Sequence, residues 1–502
     1  MRIESIHKRM TINSFSNGLR YFAYFFVTFL LTPFIIRTIG DSLYGVWVII
    51  SSLIGYAGLL EMGMQTAIVK LVAEYDATGD NEKFNGIVTT ALTFFLFIGI
   101  IVALICWFIA PHFIEYLLKD KSSIIWVKRL MYVLGFDIGL TFLGYVFSGM
   151  VFGMQIYHIK NILDICILGI YAGLVYTFLG AGGILALAII KTTIDLITLI
   201  SSYILCKKVY PALRINYRIA NRESFKELVK FGSKIFASST MARAANNADP
   251  LIITYYMSTI WTAIFSIPKR LIDYIKEITW SMSLGFMPMF SELQGKNDIE
   301  SIRSIYMRYT RYILILTLPI ITAMIIFGAE FIELWIGKEY ALKGKYLLYL
   351  LVISFIIESI QPLLWRLFIG VDRLNFLVKM STISSLTYIG LSILLVKYFG
   401  INGIGLSLLT ISLLKQIISI EYACRYLGIG VLRFLIECHL MPMLSALIFG
   451  VSIFYIEAIF RANSYFSIVM SIGCCLPVYF LLTYILALKQ NERQIIHSTL
   501  NN

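Results

Sequence analysis

Three arginines stand inside long apolar runs of this 502-residue chain: Arg20, Arg243 and Arg270. A planar guanidinium donates paired hydrogen bonds to phosphate, so such arginines suit a phosphorylated ligand. The residues around them recur at helical spacing. Asn13, Asn17, Arg20, Tyr24 and Thr28 share one helix face, and Ser239, Arg243, Asn246 and Pro250 share another, with Asp249 adjoining. Ser266, Arg270, Asp273 and Glu277 form a third stripe, flanked by Lys269 and Lys276. Glu358, Gln361, Trp365 and Phe368 form a fourth beside Arg366, and Ser52, Tyr56 and Glu61 a fifth. Aromatic rings beside cations suit sugars. The expected substrate-binding set is therefore Arg20, Tyr24, Arg243, Arg270, Asp273 and Trp365. Glu61, Asp249 and Glu358 are candidates to bind a coupling H+ or Na+; no other cofactor is expected.

Several of these residues also have a structural reading. Arg20 lies only about two turns into its apolar run and is able to snorkel to the interface. Asp273 has Arg270 and Lys276 within reach as neutralising partners. Asp249 is placed to cap or pair near a helix break at Pro250, and Glu61 to fix the register between helices. Lys191 and Asp195, four residues apart, are expected to pair locally. What favours function is the joint pattern, because each charge inside a membrane span costs a few kcal/mol on insertion scales.

The elements that must hold these residues follow from composition. The chain is 59% hydrophobic and 14% charged, with a mean hydropathy of +0.82, outside the soluble globular range. Apolar runs of roughly 18–25 residues succeed one another, each long enough to cross a bilayer. Only helices satisfy their backbone there without closing a barrel. About fourteen spans fit, the first over 14–36 and the last over 465–488. No segment outside them is long enough for a soluble catalytic domain.

A formal charge of +13 invites a nucleic-acid partner, but much of the excess sits in the short loops, above all "CKKVYPALRINYRIANRESFKELVK" (206–230). With both termini cytoplasmic, roughly 22 Lys/Arg fall inside against about 10 outside, as the positive-inside rule requires. Membrane lipid, not nucleic acid, is the expected partner of that charge. The seven cysteines show neither a disulfide framework nor zinc spacing. The first apolar stretch is too long for a cleaved signal and is expected to remain as the first span.

The chain also repeats itself. "FIE" at 113–115 recurs at 331–333, an offset of 218 residues, and at that offset Glu74, Asp80 and Glu82 meet Glu292, Asp298 and Glu300. With two residues of drift, Gly180, Gly183 and Ile184 meet Gly400, Gly403 and Ile404. An even number of spans per copy makes the repeat parallel. The expected organisation is an all-α membrane protein. It comprises a six-helix lobe (1–206), an amphipathic cytoplasmic linker (207–231), a second six-helix lobe (232–421), and two additional helices with a tail (422–502).

The stretch "TPFIIRTIGDSLYGVWVIISSLIGYAGLLEMGMQTAIVKLVAEY" (32–75) resembles the Wzx-type polysaccharide flippases of the multidrug/oligosaccharidyl-lipid/polysaccharide exporter superfamily. Gly40, Tyr44-Gly45, Leu60-Glu61-Met62-Gly63 and Val72-Ala73-Glu74-Tyr75 carry the likeness. "NNADPLIITYYMSTIWTAIFSIPKRL" (246–271), with Asp249, is similar to a second family pattern. The resemblance implies a V-shaped pair of lobes, with the last two helices adding a groove for a lipid tail. It implies movement of an undecaprenyl-diphosphate-linked oligosaccharide, an O-antigen or capsule unit, from the inner to the outer leaflet of a bacterial inner membrane. Arg20 and Arg270 match positions where related flippases carry lumen arginines. Glu61 departs from the family's usual Asp.

On this reading the lobes rock about a shared cavity and the protein is a transporter, not an enzyme. It is expected to act as a monomer, with other polysaccharide-assembly proteins as further partners. A peptidoglycan-precursor flippase and a multidrug/cation antiporter share the architecture, the latter expected to line its cavity with carboxylates. A membrane polysaccharide polymerase would carry a large external loop, whereas here only 111–125 and 329–345 are substantial.

Overall fold

In the computed structural model, the described residues are 2–117, 124–283, 285–460, 464–488, 490 and 492–493; they are helical with no strand among them. The side chains of Asn13, Phe113, Ile114 and Ser239 lie outside the described residues. Eleven helical stretches are long and apolar enough to cross a membrane. One of these, α7 (Tyr157–Val209), has 53 residues and breaks at Gly183, so it supplies both the fifth and the sixth expected spans. The seventh and eighth expected spans fall on α8 (Arg222–Tyr256) and α9 (Thr259–Met282). Neither is among the eleven, because these helices carry the arginine stripes.

Two compact units divide the chain, Met1–Ala263 and Ile264–Asn502. Unit 1 contains α1 (Arg2–Ile39), α2 (Asp41–Ala57), α3 (Met64–Thr78), α4 (Asn81–Phe108), α5 (Ala110–Leu117), α6 (Ile124–Gly153), α7 and α8. Its core gathers Phe95, Phe142, Val146 and Met150. On the opposite face of α4, Phe97, Ile100, Leu104 and Phe108 are exposed. An apolar outer face of this kind is what a helix surrounded by lipid presents.

Unit 2 begins within α9. It continues with α10 (Phe286–Gly295), α11 (Ile299–Trp335), α12 (Lys338–Glu358), α13 (Gln361–Gly370), α14 (Leu374–Phe399), α15 (Ile401–Leu427), α16 (Val431–Leu435), α17 (Met441–Phe460) and α18 (Tyr465–Leu486). Phe290, Tyr306, Phe368 and Phe434 anchor its core. The two helices without counterparts, α17 and α18, pack on α11, where the Tyr479 hydroxyl donates to Ile315 O at 2.7 Å.

Backbone conformation carries the internal repeat. Gly79 and Asn297 are both left-handed, each followed by an aspartate that caps a helix: Asp80 accepts from Lys83 N and Asp298 from Ser301 N, both at 3.0 Å. Gln155 and Asp372, 217 residues apart, have φ of 59° and 58°. Gly183 (57°, −146°) and Gly400 (57°, −140°) share a region of backbone space open essentially only to glycine. The register expected from "LGAGGI" and "FGINGI" is corrected accordingly: Gly183 corresponds to Gly400, not to Gly403. "FIE" also sits differently in the two copies. It follows a helix break at Ile109 in the first and precedes one at Ile336 in the second.

The basic connector is not a separate element. α7 runs to Val209, a short loop follows, and α8 starts at Arg222 with Asn221 as its cap. The Asn85 amide clamps that loop, donating to Ala212 O at 3.1 Å and accepting from Arg214 N at 2.9 Å. Tyr75 donates to Glu227 at 2.8 Å. Burial, then the hydrogen bond to that carboxylate, pushes the Tyr75 phenol above its ordinary range. These contacts place the 207–231 stretch and α8 with unit 1, so the compact units meet after the expected linker rather than at it.

Candidate functional site

Among the described residues, charged side chains inside the helical units gather into clusters, one of them Arg308 and Arg311 on Glu492. Four others contain or adjoin the expected site residues, and each can be built from its elements. In unit 1, α2 ends in a 3-10 turn, Gly58–Glu61, followed by left-handed Met62 and Gly63. The turn buries Glu61, which is 7% exposed. One carboxylate oxygen accepts from Gln65 N at 3.3 Å and the other from Arg243 Nη1 at 3.4 Å. Glu61 and Arg243 are thus brought together, while the Arg243 side chain stays 55% exposed with donors to spare.

The same seam continues along α2 and α8. The Tyr56 hydroxyl donates to Ala244 O at 2.8 Å and that of Ser52 to Asn247 O. Close approach depends on small residues: a methyl at Gly63 would lie 2.4 Å from Gly232 O, and one at Gly45 only 1.9 Å from Thr259 O. Asp249, two residues beyond Ser52's partner Asn247, is buried. α8 runs through Pro250 without a break, so the helix end that the sequence suggested for Asp249 to cap does not exist.

Arg20 belongs to a different cluster. Its Nη1 lies 3.7 Å from Asp164, which Lys160 also binds, and its guanidinium covers the Tyr21 ring. Asn161 of α7 donates to Ser16 Oγ at 2.9 Å and to Asn17 Oδ1 at 2.8 Å. The α1 stripe therefore faces α7, and Arg20 is ion-paired rather than simply snorkelling. Two cations share one carboxylate, and Arg20 Nε is buried without a hydrogen-bond partner. Tyr24 is half exposed.

The third cluster joins α6 and α7. Lys191 bonds to Asp137 and, at 2.8 Å, to Asp195. The local Lys191–Asp195 pair expected from spacing is present; Asp137 is an addition the spacing did not show.

In unit 2 the Glu358 carboxylate is bound by Lys276 at 3.3 Å and by Lys415 at 2.8 Å. One turn beyond Lys276, Trp280 meets Trp365 edge to face at 6.1 Å, and Arg366 covers Trp280 at 5.6 Å. A basic and aromatic strip thus runs along α9 opposite α12 and α13. Asp273 is held by Lys269, at 3.2 and 3.3 Å, rather than by Arg270 or Lys276. Arg270 lies partly buried on the same helix.

Sequence reasoning missed Asp137, Lys160, Asp164, Trp280 and Lys415 as members of these clusters. The signal was available: most are ionisable residues inside apolar runs, where the default reading is functional. They went unremarked because none extends a long polar stripe.

The comparisons agree with this architecture. A family profile described as polysaccharide biosynthesis protein matches residues 34–342. A Shigella flexneri protein named "Putative O-antigen transporter" is 20% identical over 399 residues, 77% of this chain and 91% of its own length. The lipid II flippase MurJ in an inward closed conformation superposes with a TM-score of 0.70 at 15% identity, covering 95% of this chain and 98% of that one. An inward-facing multidrug transporter of the MATE family, MOP superfamily, gives 0.69 at 14% identity over 84% and 97%. The fold is that of the MOP superfamily.

Proposed function

Because the chain belongs to the polysaccharide biosynthesis protein family, we propose that it moves an undecaprenyl-diphosphate-linked oligosaccharide from the inner to the outer leaflet of a bacterial inner membrane. The observation that carries this reading is the excess of cations over carboxylates in two clusters. Arg20 and Lys160 share Asp164, and Lys276 and Lys415 share Glu358. Such an excess offsets the desolvation of a diphosphate, which is prohibitive without cations.

The two-unit organisation supports a mechanism of alternating access. Arg20, Arg243 and Arg270 bind the diphosphate head, while Tyr24, Trp280 and Trp365 stack on sugars. The polyprenyl tail stays in lipid beside α17 and α18. The units alternate between inward and outward access. Asp273 pairs with Lys269 and Glu358 orders Lys276 and Lys415 in unit 2, while Glu61 orders Arg243 in unit 1. The fold likeness to a lipid flippase takes in more of this chain than does the likeness to a drug exporter, which supports a lipid-anchored cargo. A peptidoglycan-precursor flippase presents the same polyprenyl-diphosphate chemistry and remains the second reading; the Shigella relative's name favours the polysaccharide unit.

The test is complementation of a host whose own flippase is deleted, with Arg270→Ala and Arg20→Ala at matched protein levels. Loss of surface polysaccharide with accumulation of the lipid-linked unit inside is expected. Normal export by both variants removes the arginines from the mechanism.

A further inference from the structure

Corresponding helices of the two units each carry a cross-helix ion pair, set about one to two turns further along in the second unit, and leave it with opposite charge. In unit 1 a carboxylate on α6, Asp137, meets a lysine on α7, Lys191. In unit 2 a carboxylate on α12, Glu358, meets a lysine on α15, Lys415. By the 217-residue register, α6 corresponds to α12 and the second half of α7 to α15. A third charge then joins each pair. Lys276 makes the unit 2 cluster cationic, whereas Asp195 makes the unit 1 cluster anionic.

An anionic excess is costly at this place. The Asp137 side chain is 0% exposed, and its Oδ1 is buried with no hydrogen-bond partner, because Lys191 occupies only Oδ2. Asp195 is supported by Lys191 at 2.8 Å and by the Thr141 hydroxyl at 3.1 Å. One ammonium therefore serves two carboxylates in a setting from which water is largely removed, and the orphaned oxygen lies on the more deeply buried of the two.

We propose that Asp137, Lys191 and Asp195 form a proton-binding site in unit 1, the proton residing on Asp137 Oδ1. Uptake of one proton takes the cluster from one net negative charge to none. A metal cation of equal charge would have to displace the Lys191 ammonium from both carboxylates; a proton needs only the free oxygen.

Tyr145, two turns along α6 from Asp137, lies within electrostatic range of Asp195 and Lys191 on one side and of Glu61 and Arg243 on the other. The groups facing the cluster are few. α7 contributes Lys191 and Asp195, and α6 itself contributes Thr141 and Tyr145. α4 brings Cys106 against the preceding turn at Gly135. α3 has Lys70 over Phe231, α5 has Glu115 paired with Lys128 near the start of α6, and α2 ends in Glu61, paired with Arg243. None of these supplies a second cation to Asp137.

The experiment is infrared difference spectroscopy of the full chain in lipid nanodiscs, without substrate, over a pH titration. Wild type is expected to show one titrating protonated-carboxyl band that is lost in Asp137→Asn. The band is also expected to be lost in Asp195→Asn, where one ammonium faces one carboxylate and the excess charge is gone. Near-native thermal stability of either variant establishes that it is folded. The proposal is overturned if no such band titrates in wild type, if the band survives in Asp195→Asn, or if Na+ in place of K+ shifts its midpoint tenfold in proton concentration.

Discussion

The guanidinium of Arg243 on α8 lies 3.4 Å from the carboxylate of Glu61, at the turn that ends α2. The pair is asymmetric, since the acid is buried and the base half exposed. Glu61 fixes Arg243 where two α-helices close on each other, and Arg243 keeps donors to spare. Arg243→Ala is expected to reduce export on the order of 10- to 100-fold, the equivalent of one charge-assisted contact. Arg243→Lys, which keeps the charge but not the paired donors, should recover only part of it. Accumulated lipid-linked intermediate, counted per transporter, reads both. Wild-type flux in Arg243→Ala would assign the pair to packing alone.

The α2–α8 seam admits no side chain at Gly63, which is left-handed at φ 70° and would place a methyl 2.4 Å from Gly232 O. Gly63→Ala should destabilise the protein by about 1–3 kcal/mol. A lowered unfolding midpoint in detergent is the expected result. An unchanged midpoint would mean that the seam yields without cost.

Gly183 and Gly400 provide a paired test of the internal repeat. Alanine at either should cost about 1–3 kcal/mol, because both occupy backbone space open essentially only to glycine. Gly180→Ala should lie within about 0.5 kcal/mol of wild type, since a methyl there meets nothing within 4 Å. Equal effects at 180 and 183 would undo the 217-residue register.

Much of this was legible in the sequence, for physical reasons that differ by level. Helical architecture followed from apolar run length, since lipid leaves the backbone few alternatives. The repeat was legible at Asp80 and Asp298 because capping requires a particular residue type at a particular place. It was misregistered at the glycines because two lie close together in "GAGG", and only dihedral angles distinguish Gly183. Arg243 with Glu61 was visible as two polar residues on separate stripes, but their meeting depends on how α8 packs. Asp137 and Lys415 escaped notice because a lone charge in a span has no pattern; its meaning lies wholly in what crosses from the next helix. The end of unit 1 at Ala263 is likewise a consequence of packing that charge runs do not reveal.

Glu358 lies mostly covered between two ammonium groups, so its removal leaves both without their shared anion. Glu358→Leu should cost about 3–5 kcal/mol. Adding Lys415→Leu should return part of that loss, a positive coupling that a double-mutant cycle measures. Additive effects would show that the Lys415 contact, at 2.8 Å, contributes nothing to stability.

The cap at Asp298 gives a pH prediction outside the membrane. The hydrogen bond from Ser301 holds its carboxyl below the usual aspartate range. A depressed folded-state value contributes stability above the unfolded value of about 3.9 and loses it as pH falls through the folded one. Amide exchange at Ser301 should therefore speed up as pH drops below about 4 once corrected for intrinsic rate. Asp298→Asn should remove that dependence while keeping a cap.

Movement of a polyprenyl-diphosphate-linked oligosaccharide between leaflets can be read as flipping in proteoliposomes. A lipid-linked unit on the accessible leaflet should become protected from an external glycosidase faster with the protein than in empty vesicles. An Arg20→Ala/Arg243→Ala/Arg270→Ala protein, folded by its unfolding midpoint, should fall to the empty-vesicle rate. Protection no faster than in empty vesicles, or undiminished in the triple variant, would contradict the account.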